Sequence, residues 1–181
     1  MVKKISLLSS LTALSSIMYI VESFIPFPLV FGKWGFSNSV VLLLAVEMGL
    51  KEASLVAIAK SIVGSLMVGK FLSPQFFMGF FGALSASIVE SYMSRFRKFG
   101  YLGLSVLGSI SNNFTQFLIA SLFIKSPLIF ALFPLMIVFG IISASANAYI
   151  AKKLGGIIVE TDLGVLFTKK KGTPFKTGNT V

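Results

Sequence analysis

Six stretches of the chain are almost unbroken in apolar side chains: residues 5–24, 37–50, 52–69, 75–93, 103–124 and 127–151. Most approach the ~20 residues with which a helix crosses a hydrocarbon core. The second is short, and the pattern extends or tilts it through Phe36. Gly, Ser and Asn interrupt several of the others, which bundles of packed membrane helices tolerate better than isolated helices do. The pattern therefore predicts six transmembrane helices in residues 1–154. After Lys153 it changes, and GGIIVETDLGVLFTKKKGTPFKTGNTV, residues 155–181, reads as a basic, partly disordered tail.

At 100° per residue the helices acquire faces. In the third stretch Ala53, Ala57, Ser61 and Gly64 form a small-residue face continuing to Ser65, while Leu55, Ile58, Ile62 and Leu66 lie opposite and suit lipid. Small faces are where membrane helices approach closely. In the fifth, Ser105, Ser109, Asn112, Asn113, Gln116 and Ala120 share one side, and Leu107, Ile110, Phe114, Phe117 and Leu118 the other. Amides facing lipid would strand donors and acceptors in hydrocarbon. They either clasp neighbouring helices or line a polar pocket. Further small faces are Ser9, Ala13 and Ser16 in the first stretch, Gly79, Ala83 and Ala86 in the fourth, and Gly140, Ser143, Ala144, Asn147 and Ala148 in the sixth. Most of these read as internal packing.

Composition places the chain in the membrane class: 55% of its 181 residues are hydrophobic and only 12% charged, with a mean hydropathy of +0.92. The net charge of +10 reports topology rather than a nucleic-acid partner. With the N-terminus inside, the inner loops and termini hold Lys3, Lys4, Lys51, Arg95, Arg97, Lys98, Lys152, Lys153, Lys169, Lys170, Lys171 and Lys176, and the outer side only Lys33, Lys70 and Lys125. That asymmetry predicts cytoplasmic termini. Neither cysteine nor histidine occurs, which excludes thiolate and imidazole chemistry and metal ligation through those groups. No metal, cofactor or catalytic group is predicted.

Lys60 is the sixteenth basic residue and lies at mid-depth beside the small face of its helix. A charge there costs at least ~2.5 kcal/mol on insertion scales. Two readings stand: it ties helices together, or it faces a ligand. The sequence assigns it no carboxylate at its own level, which favours an anionic ligand. Glu22 ends the first stretch just before Pro26 to Pro28, and Asn38 opens the second. The loop between them, FIPFPLVFGKWGF, holds the single tryptophan, Trp34. It reads as an aromatic belt or as a lid. Glu22, Asn38, Lys60, Asn113 and Gln116 together outline a cavity open to the outside.

Three pieces carry a family resemblance: E-x-x-x-P-x-P from Glu22 to Pro28, K-x-G-F-x-N from Lys33 to Asn38, and LSVLGSISNNFTQ from Leu104 to Gln116. With six short spans, the chain resembles the Gx transporter family, also labelled heptaprenyl diphosphate synthase component I, over about residues 8–154. That family is similar to the substrate-binding S components of energy-coupling-factor transporters. The resemblance implies a six-helix S-component fold, a pocket near the outer face capped by the first loop, and partner coupling and ATPase subunits. It also implies a coupling stripe on the first helix, here Ser9 and Ala13 with Ser16 beyond. Where the family pattern leads to His-Asn and arginine, this chain has Asn112-Asn113 and Lys60. Lysine keeps the charge without the planar fork that grips carboxylate or phosphate in two places.

The synthase label meets the residues directly. Holding magnesium on a diphosphate needs clustered carboxylates, yet Asp162 is the only aspartate among six acidic residues. There is no GxxxxGK[ST] phosphate loop either. The chain is expected to be no enzyme. The leading expectation is a bacterial inner-membrane subunit capturing a small amphipathic, anionic molecule from outside, with Glu22, Trp34, Asn38, Lys60, Asn112, Asn113 and Gln116 binding it and partner subunits hydrolysing ATP. The rivals are a non-catalytic subunit of an isoprenoid- or quinone-linked assembly and a solo ion-coupled carrier.

Overall fold

The computed structural model describes residues 2–28, 33–96 and 98–160. Most of the expected tail, residues 161–181, lies outside the described residues, as do residues 29–32 of the first loop. The helices are α1 (Val2–Phe24), α2 (Asn38–Glu47), α3 (Leu50–Met67), α4 (Pro74–Ser94), α5 (Tyr101–Ile124) and α6 (Phe133–Val159), with a 3₁₀ turn, Pro127–Leu132, feeding α6. No strand occurs among the described residues. α1, α4 and the combined stretch Pro127–Val159 are long and apolar enough to cross a membrane. α3 carries Lys51, Glu52 and Lys60, α5 carries its amides, and α2 has only ten residues.

α2 is the centre of the bundle. Ser39 to Val46 are all buried, and α2 touches each of the other five helices. A helix that is apolar all round has no face for water, and here the other helices rather than lipid cover it. The others form a ring in the order α1, α3, α4, α5, α6, least closed between α6 and α1. Helices consecutive in sequence run in opposite directions, so α1 and α3, neighbours in the ring, run parallel. Lys4 Nζ meets Glu52 Oε1 at 2.6 Å, Tyr101 donates to Glu47 Oε1 at 2.9 Å and Ser94 donates to the Ala45 carbonyl at 3.2 Å. These contacts gather the starts of α1, α3 and α5 with the ends of α2 and α4. α6 ends there too, since Gly155 lies against Leu43 and Tyr101.

Two expectations are corrected. The second helix does not extend through Phe36. Gly35 has φ +73°, and the Asn38 N–H bonds the Gly35 carbonyl at 2.9 Å, so the chain turns before α2 begins. Ten residues rise only about 15 Å, half a hydrocarbon core. The rest of that path is irregular backbone buried inside the bundle, the setting in which membrane proteins tolerate it. At the far end of α2, Gly49 takes φ +100°, a conformation that side chains other than hydrogen rarely adopt, and lets α3 start immediately. The second correction concerns α6, which continues past residue 154 to Val159. A Cβ at Gly155 would stand 3.0 Å from the Leu43 methyl, so this glycine serves close helix approach rather than termination.

The faces fall largely as the periodicity predicts. Ala53, Ala57, Ser61, Gly64 and Ser65 are buried while Leu55 and Leu66 are exposed. Phe117 is the exception. It packs with Phe130 and Phe133 at centroid distances of 5.9 and 5.6 Å and joins a cluster with Met78, Ile129 and Met136. The 3₁₀ turn folds back over α5 and covers a side that the helical wheel alone assigns to lipid.

Candidate functional site

Two polar clusters lie inside the apolar bundle. The first is built where α1 ends, α2 begins and α3 passes. Glu22 is 4% exposed, and its carboxylate accepts the Ser37 N–H and the Ser37 hydroxyl, each at 3.1 Å. The same hydroxyl accepts from Lys60 Nζ at 3.0 Å, and Lys60 also donates to Asn38 Oδ1 at 2.5 Å. Ser15 donates to the Ser37 carbonyl at 2.8 Å. Ser37 thus joins the carboxylate to the ammonium, and each charge is held by hydrogen bonds, as burial in low dielectric requires. Lys60, 2% exposed, has its carboxylate after all, one hydroxyl away. The sequence could not show this because Glu22 and Lys60 meet only once the loop turns at Gly35. The premise that Lys60 has no carboxylate at its own level is corrected, and its bonds link α3 to Ser37, Asn38 and, through Ser37, to Glu22.

The second cluster lines a cavity among α4, α5, α6 and the segment 33–38. Its water-admitting volume is about 20 Å³, room for one or two waters. Trp34, Asn38, Asn112 and Asn113 of the predicted site face it, whereas Glu22, Lys60 and Gln116 do not. Glu22 instead adjoins an apolar groove between α1 and α6, with Ile17, Met18, Val21, Phe36 and Ile150. Gln116 packs against Gly82 of α4. Glu90, Ser143, Asn147 and the rings of Phe27 and Phe139 also line the cavity.

The outer wall is the returning loop, fastened to α6. Ser143 donates to the Trp34 carbonyl and Asn147 Nδ2 donates to the Gly35 carbonyl at 3.1 Å. Trp34 Nε1 reaches back to the Pro26 carbonyl at 3.1 Å. Phe27, Trp34 and Phe139 meet edge to face, with centroids 5.1 to 6.4 Å apart. Lys33 donates to the Tyr19 hydroxyl at 2.7 Å and lies 4.0 Å above that ring. Burial pushes the Lys33 ammonium below the ordinary lysine value, and the Glu22 carboxylate opposes the shift.

The floor comes from the amide face of α5. Asn113 Nδ2 donates to the Met136 carbonyl at 3.2 Å and Ser109 to the Gly140 carbonyl at 3.1 Å. Asn112 Nδ2 makes a long bond of 3.4 Å to Asn113 Oδ1. The amides therefore do both things left open by the sequence: they clasp α6 and they border the cavity. Gly140 permits this, because a Cβ there would stand 2.6 Å from Asn113 Nδ2. Glu90 belongs to the same α4 face as Ala83 and Ala86, seven and four residues before it, so spacing alone places it inward. Asn147 lies on the α6 face assigned to packing. Phe139 carries no comparable signal.

On the proposed coupling stripe, Ser9 and Ala13 are exposed and Ser16 is buried. Among the described residues no group of three or more His, Cys, Asp or Glu side chains is placed to hold a metal ion. A family model described as heptaprenyl diphosphate synthase component I matches residues 11–154. No curated protein and no solved structure matches the chain.

Proposed function

The chain belongs to the heptaprenyl diphosphate synthase component I family, and from that premise we propose that it is the membrane-embedded substrate-binding component of an uptake transporter of the energy-coupling-factor type. The observation that carries this reading is the cavity beneath the returning loop, polar on its floor, aromatic on its roof and set within an apolar bundle. Small-molecule sites are enclosed and largely apolar, with a few polar groups fixing orientation. As it stands the cavity admits a water or two, so capture involves parting segment 33–38 from α6. The hydrogen bonds of Ser143 and Asn147 to Trp34 and Gly35 are the fastening that parts.

The chain would cross the bacterial cytoplasmic membrane six times, the second crossing made by α2 together with the irregular segment before it, with the basic end shared by Lys3, Lys4, Lys51, Arg95 and Lys152 facing the cytoplasm. Lacking a phosphate loop, the chain would draw energy from ATPase partners through a coupling subunit seated near Ser9 and Ala13. A second reading, a non-catalytic membrane subunit of a prenyl diphosphate synthase, is favoured by the family's description. Affinity purification of the full chain from bacterial membranes separates the two. The transporter reading expects ATPase and coupling proteins to accompany it, together with an extractable small molecule. A prenyl synthase in their place would sink it.

A further inference from the structure

The cavity's acceptors and donors are unequally used. Glu90 is 3% exposed, lines the cavity, and its Oε2 has no hydrogen-bond partner. Asn147, also buried and lining it, gives Nδ2 to Gly35 and leaves Oδ1 without a partner. Gly108 makes room beside the carboxylate, since a Cβ there would stand 2.7 Å from Glu90 Cδ. Several neighbouring donors are engaged elsewhere. Lys60 gives its bonds to Ser37 and Asn38, Lys33 to Tyr19, Asn113 to Met136, Ser109 to Gly140 and Ser143 to Trp34. No direct ion pair joins Lys60 to Glu90.

A buried acceptor left unpaired is costly, more so when it belongs to a carboxylate. A ligand that donates hydrogen bonds there relieves that cost, whereas an anionic group set beside Glu90 meets repulsion; Lys33, the cation that also lines the cavity, is held on the Tyr19 hydroxyl. At the opposite wall, the rings of Phe27, Trp34 and Phe139 suit an apolar ring and attract a cation over their faces. We propose that the cavity takes an amine: its N–H donors at Glu90 and Asn147, its apolar body against Phe27, Trp34 and Phe139. This deepens the capture reading above and rests on it. It also reverses the ligand charge that Lys60 suggests when the sequence is read alone.

Trp34 is the chain's single tryptophan and part of the cavity wall, so its fluorescence reports occupancy without a label. The full chain in lipid nanodiscs is titrated with phenethylamine, with its trimethylammonium analogue, which keeps charge but lacks N–H donors, and with 3-phenylpropionate. The expected result is a saturable Trp34 response to phenethylamine, with the quaternary analogue at least about tenfold weaker, the scale of one charge-assisted hydrogen bond, and the carboxylate weaker still. Glu90→Gln should weaken phenethylamine by at least about tenfold on the same scale. Should that variant fold poorly, the three-probe ranking on the wild-type chain decides alone. Infrared difference spectra of the wild type should in addition show a carboxyl band shifting with phenethylamine. Tighter binding of 3-phenylpropionate, equal binding of the amine and its quaternary analogue, or no saturable response to any probe would overturn the proposal. Carboxylate binding would do so while leaving substrate capture standing. Copurification of a prenyl synthase without ATPases would instead overturn transport and leave amine binding intact.

Discussion

The Glu22–Ser37–Lys60–Asn38 cluster and the Glu90–Asn147 wall of the cavity are both buried polar groups in an apolar bundle, but they are completed differently. In the first, Ser37 and Asn38 supply oxygens to the ammonium, and Ser37 supplies two donors to the carboxylate. In the second, Glu90 Oε2 and Asn147 Oδ1, buried oxygens of two residues that line the cavity, have no hydrogen-bond partner in the protein. A closed network fixes structure, and an incomplete one keeps its hydrogen-bonding capacity for something that arrives. Lys60, the conspicuous anomaly of the sequence, therefore has its hydrogen bonds met within the protein. Glu90, inconspicuous near the end of α4, lines the cavity.

Substitutions can break this contrast. Lys60→Met should have the largest effect on stability, about 3–5 kcal/mol, because it strands Glu22 as a buried carboxylate with its cationic partner gone. Thermal unfolding in detergent measures it, and Glu22→Gln in the same chain should recover part of the loss. Ser37→Ala removes the hydroxyl that both charges share while leaving both charges in place, for about 1–3 kcal/mol. A loss as small as that of a surface serine would show that Glu22 and Lys60 do not depend on the bridge. Glu90→Gln should cost least, about 1 kcal/mol or below, since it removes a charge whose Oε2 makes no hydrogen bond. If Glu90→Gln unfolds the chain as readily as Lys60→Met does, the two clusters are alike and the contrast fails.

Helix count, the inward faces of α3 and α5, and the burial of Lys60 were all legible in the sequence, because periodicity at 100° per residue separates faces without reference to neighbours. The resemblance carried by the Glu22–Pro28, Lys33–Asn38 and Leu104–Gln116 pieces also agreed with the family match. Phe117 was misplaced because the wheel knows nothing of the 3₁₀ turn that covers it. Gln116 was grouped with the site on spacing, but it packs against Gly82 outside the cavity lining.

By itself, the sequence determined that this is a helical membrane protein whose charges concentrate at helix ends, and that Lys60 and the α5 amides turn inward. Those properties follow from hydrophobic burial and helical period, which act locally along the chain. Which inward polar groups find one another was decided only by the tertiary structure. The turn at Gly35 delivers Ser37 and Asn38 to Lys60, and α6 approaches closely enough at Gly140 to occupy Asn113. With those donors committed, Glu90 and Asn147 are left open. Hydrogen-bond partners come from segments far apart in sequence, so who is satisfied and who is not cannot be read from any one helix.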